Sequence, residues 1–99
     1  MKTIAQLEAT ADAAVRAEDA AANRLRKINS YLDALTMLDD ACSDDTLVAS
    51  ERGALDEIDS AKAFVRLTEA KRVLMAEIDR LGDARSDAWA ALNGAYEAA

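Results

Sequence analysis

The sequence contains no histidine and no proline, a single cysteine and three glycines. Without histidine there can be no Ser-His-Asp or Cys-His nucleophile system, and the commonest metal ligand is missing. Without proline, and with glycine only at Gly53, Gly82 and Gly94, long helices meet few interruptions. The three glycines are isolated, so no phosphate-cradling loop is encoded. Cys42 alone cannot form an internal disulfide, and nothing argues for an oxidising compartment. No apolar run approaches the roughly 20 residues of a membrane span. The start "MKTIAQLEATADAA" lacks the apolar core of a secretion signal. A cytoplasmic protein without a membrane segment is the expectation.

What is present is a short, acidic, alanine-rich chain. Ninety-nine residues with 52% hydrophobic side chains suit one folded helical domain spanning 1–99, but alanine buries little area per residue. The net charge of −7 argues against direct binding to nucleic acid or anionic membrane, which carry dense negative charge themselves. That charge is concentrated. Residues 36–60, "TMLDDACSDDTLVASERGALDEIDS", hold Asp39, Asp40, Asp44, Asp45, Glu51, Asp56, Glu57 and Asp59 against Arg52 alone, a balance equal to that of the whole chain.

Spacing predicts an all-α fold. Ile4, Leu7, Ala11, Ala14, Glu18, Ala21, Leu25, Ile28, Leu32 and Leu35 alternate steps of three and four, one stripe of a helix over about 3–41, with Glu18 its only charged member. "CSDDT" at 42–46 reads as an acidic turn, with Asp45 or Thr46 capping a second helix over about 47–81. A later start capped by Ser50 is the alternative, since Gly53 is a poor helix residue. The second stripe runs Leu47, Ala54, Ile58, Ala61, Val65 and then drifts to Leu67, Leu74, Ile78 and Leu81, as local bundle packing would allow. Gly82 suits a left-handed helix end, and Asp83 or Ser86 would start a short third helix over about 84–98; a second helix running straight through Gly82 is the alternative. Trp89, Leu92 and Tyr96 share one face of this last segment and are expected in the core. The sum is an antiparallel helical hairpin plus a short C-terminal helix, a small helical bundle with an acidic tip. The alanine-rich half of helix 1 offers little to bury, so either the C-terminal aromatics or a second copy of the chain covers it.

Chemistry finds little to build on. A helix-loop-helix calcium site needs glycine at its sixth position and glutamate at its twelfth. Counting from Asp39 gives Asp44 and Ser50, and from Asp40 gives Asp45 and Glu51, so the glycine is missing in both frames. Loose cation binding by Asp39, Asp40, Asp44 and Asp45 is the residual alternative; no metal or cofactor is expected. Cys42, beside four aspartates, has its thiolate disfavoured. Asp56 and Glu57 are adjacent on a helix and point about 100° apart, so they do not form an acid–base pair. No enzymatic activity is expected.

The acids do not copy DNA either. As a helix, residues 39–59 span about 30 Å, where duplex DNA places roughly 18 phosphates; eight carboxylates are fewer than half of that. A local acidic knob engaging a basic patch on a protein partner is physically sensible. Capping accounts for Asp44, Asp45 and Glu51, but Asp39 and Asp40 sit near a helix C-terminus, where the dipole disfavours anions. In length and hairpin form the chain is similar to WXG-type secreted proteins, but "CSDDT" stands where those carry Trp-x-Gly, and nothing is carried over. The expectation is a non-enzymatic interaction protein, an inhibitor or adaptor acting through the acidic tip. A phage or mobile-element inhibitor of a host nucleic-acid-binding complex, of the anti-CRISPR type, is one setting. A self-associating scaffold, dimerising through the alanine-rich half of helix 1, is the alternative.

Overall fold

In a computed structural model, which describes residues 2–99, the chain is all-α: α1 (Ile4–Ala41), α2 (Ala49–Asp56) and α3 (Ser60–Ala98), with no strand among the described residues. None of these helices is long and apolar enough to cross a membrane. The residues group into two compact units. One comprises the chain through Leu25 with Leu74–Ala99, the other Arg26–Val73.

Helix α1 starts where its backbone donors are satisfied. Thr3 Oγ1 accepts from the Gln6 amide at 3.1 Å, and Gln6 Oε1 accepts from the Thr3 amide at 2.9 Å, a reciprocal capping box. Nothing inside α1 breaks it. Its hydroxyls at Thr10, Ser30 and Thr36 each donate to the carbonyl four residues back, sharing that acceptor with their own backbone N–H, and the helix accommodates all three. All ten positions of the anticipated α1 stripe are buried or half-buried, Glu18 among them.

The second half departs from expectation in three places. The helix anticipated over 47–81 breaks early: α2 ends at Asp56, and α3 starts at Ser60. The break is a capping event. Asp59 Oδ1 accepts from the Lys62 amide at 3.0 Å and the Asp59 carbonyl receives the Ala63 amide, so Asp59 is the N-cap of α3. Second, no separate helix forms over 84–98. Gly82 is helical, no described residue has a positive φ, and α3 runs through to Ala98; the short helix among the described residues is α2. Third, Ala54, Ile58, Ala61 and Val65 are exposed. The inward face of α3 is instead Ser60, Ala63, Leu67, Lys71, Leu74, Ile78, Leu81, Arg85, Ala88, Leu92 and Ala95, every one buried or half-buried. Those steps of three and four keep close to a seven-residue repeat, so the drift read from the sequence is absent. It arose from counting exposed apolar residues as inward and passing over Lys71 and Arg85.

The first unit packs the alanine-rich half of α1 with the end of α3. Glu8 accepts a hydrogen bond from the Tyr96 hydroxyl, Glu18 pairs with Arg85 at 3.2 Å and Arg24 lies 3.8 Å from Glu77. Partner numbers fall as α1 numbers rise, so the two stretches of this unit run in opposite directions. Donation to Glu8 holds the Tyr96 phenol above its ordinary pKa. Burial here combines small and large side chains: Ala11 is 1% exposed, Ala21 3%, Leu74 2% and Leu92 3%. Trp89 and Tyr96, expected in the core, are 41% and 48% exposed, and only Leu92 of that trio is interior.

Two substitutions check this packing. A methyl group at Gly94 meets nothing within 4 Å, so G94A is expected to stabilise the protein by about 0.5–1 kcal/mol through helix propensity. Leu74, 2% exposed, is expected to cost about 2–5 kcal/mol on replacement by alanine. Thermal and urea unfolding followed by circular dichroism measure both. An unchanged G94A midpoint would mean that α3 does not extend to Ala98.

Candidate functional site

All eight acids of the 36–60 stretch belong to the second unit, where the end of α1, the turn, α2 and the start of α3 meet. Local structure divides them into two groups.

Three of the acids hold backbone. Asp44 Oδ1 accepts from the Thr46 amide at 2.9 Å and from Thr46 Oγ1 at 2.7 Å, closing the turn after α1. The Thr46 hydroxyl foremost, then the Thr46 amide, with a smaller part from the Arg52 charge, keep the fully exposed Asp44 carboxyl below its ordinary pKa. Glu51 Oε1 accepts from the Val48 amide at 3.0 Å, half of a capping box at the start of α2. Val48 has no side-chain acceptor to complete it. The α2 cap is therefore Val48, not the anticipated Asp45 or Thr46 (nor Ser50, which lies inside the helix). Asp59 caps α3, as described; this role went unread although the aspartate directly precedes the helical "SAKAFV" run.

Four others stand at helix ends where an anion is disfavoured. Asp39 and Asp40 occupy the last turn of α1; Asp56 ends α2 and Glu57 is its C-cap. Neither last turn contains a basic residue, and all four acids are exposed. Each carboxylate faces the negative end of a helix dipole, an unfavourable placement worth roughly 0.3–1 kcal/mol at low ionic strength. Asp45, exposed in the turn, belongs to neither group.

Beside Asp39 the surface changes character. Leu35, Thr36 and Asp39 of α1 and Ser60, Ala61, Phe64 and Val65 of α3 line a groove of about 360 Å³. Its walls are mainly apolar: Phe64 is 42% and Val65 68% exposed. Thr36 has already spent its hydroxyl on the Leu32 carbonyl. Sequence reading placed Val65 in the core and so missed the groove. Since Val65 is out of step with the Leu67–Leu74–Leu81 repeat, that mismatch was the available signal. A second hollow, about 330 Å³, is lined by Cys42, Ala49, Arg52, Gly53 and Asp56 and puts the one base of the stretch beside an acid. Among the described residues, no group of three or more Cys, Asp or Glu is placed to hold a metal ion.

The Asp44 turn gives a pH prediction. A carboxyl whose folded pKa is depressed contributes stability that is present above its unfolded value and is lost as pH falls through the folded value. The 42–48 turn is therefore expected to hold above about pH 4 and loosen only below it. In an NMR titration the Asp44 carboxyl should titrate below free aspartate, and T46V, which removes the strongest donor, should move it upward. A titration unaffected by T46V would remove Thr46 as the cause. Comparison of the sequence with known protein families and curated proteins, and of the fold with solved structures, gives no match.

Proposed function

We propose that this chain is a non-enzymatic protein-interaction module that works through the second unit, where an apolar groove opens beside acids that the fold does not use. The groove lined by Leu35, Asp39, Phe64 and Val65 is the observation that carries the reading. A recessed apolar surface with a charge at its edge is the usual composition of an interface anchor and rim. The reading takes α1 and α3 as the arms of an antiparallel hairpin, with 42–59 as the connecting end that meets the partner.

An inhibitor or adaptor is the form of this function that fits the charge. Asp39, Asp40, Asp56 and Glu57 repel nucleic acid and attract a basic protein surface, and steering of that kind speeds encounter. A basic surface that normally receives nucleic acid is one such target. A phage or mobile-element protein blocking a host nucleic-acid-binding complex is therefore the specific setting of the proposal.

The scaffold reading retains one observation. Ala9, Ala13, Ala17 and Ala20 form an exposed small-residue face on α1, beside the Ala11 and Ala21 stripe already buried within the first unit. Sedimentation at micromolar concentration separates the two: a dimer abolished by A13E favours the scaffold, and a monomer favours the module. For the module, capture from the source cells followed by binding to the purified captured protein is the test. Charge reversal at Asp39, Asp40, Asp56 and Glu57 should weaken that binding at least tenfold without loss of helicity. Asp44, Glu51 and Asp59 are left intact, because they hold the backbone. Binding that survives the reversal would remove the acidic end as the contact.

A further inference from the structure

We draw no further inference here: the strongest candidate, the apolar groove between Leu35 of α1 and Phe64 and Val65 of α3, has exposed Lys62 and Arg66 as well as Asp39 at its edge, and nothing in the structure shows what covers it.

Discussion

The pairing of Glu18 with Arg85 across Gly82 is the constraint on which the first unit depends. Its two helical stretches meet through a mixture of alanine with leucine and isoleucine, and a slip of seven residues would again set apolar side chains against apolar side chains. Shape alone sets the register weakly there. Glu18 removes the ambiguity: it lies in the inward stripe of α1, Arg85 stands 3.2 Å away in the inward stripe of α3, and Gly82 leaves room beside it. A slip of one heptad would set Glu18 against Ile78 or Leu92 and leave a half-buried carboxylate without its cation. A half-buried carboxylate facing only apolar side chains is disfavoured. With side-chain exposures of 26% and 42%, the contact adds little net stability. Its effect is to choose one alignment, as a polar residue in a helical seam does elsewhere.

That constraint also explains why α3 does not end where its local sequence suggests. Glycine followed by aspartate is a common helix stop, but Gly82 is held in helical geometry by what lies across from it. Ile78, Leu81, Arg85 and Ala88 all face inward on either side, and a break would take half of them out of register. The penalty of about 1 kcal/mol for a helical glycine is small against that loss. A real break appears at Glu57–Asp59 instead, where the capping carboxylate of Asp59 outweighs one or two continuing helical bonds.

How far the sequence was legible follows the range of the interactions. The α1 stripe was readable because all its information is periodic and local, and so was the turn after Ala41, where Ser, Asp and Thr cluster. The Thr3–Gln6 box and the Asp59 cap carried equally local signals. The reason for Glu18 was not readable, because its partners lie at positions 82 and 85 and only tertiary packing selects them. The reverse error occurred at Ile58 and Val65, where hydrophobic identity was taken for burial. A thin seam with only a few fully buried side chains, Leu74 and Leu92 among them, leaves large apolar residues outside. In such a fold, periodicity ranks above hydrophobicity as a guide to the interior.

The same distinction sharpens the acidic stretch. Net charge made its eight carboxylates look like one feature, yet they answer to different physics. Asp44, Glu51 and Asp59 accept backbone amides at a turn or a helix start, and replacing any of them removes a bond that the fold makes. Asp39, Asp40, Asp56 and Glu57 sit at helix ends that oppose them, with no basic residue in either last turn. The opposition is screened at these exposed positions, and at Asp56 the Arg52 side chain four residues earlier on α2 offsets it in part. In the interaction reading proposed above, these four acids, and not the three that hold backbone, are the ones through which charge would act on a partner.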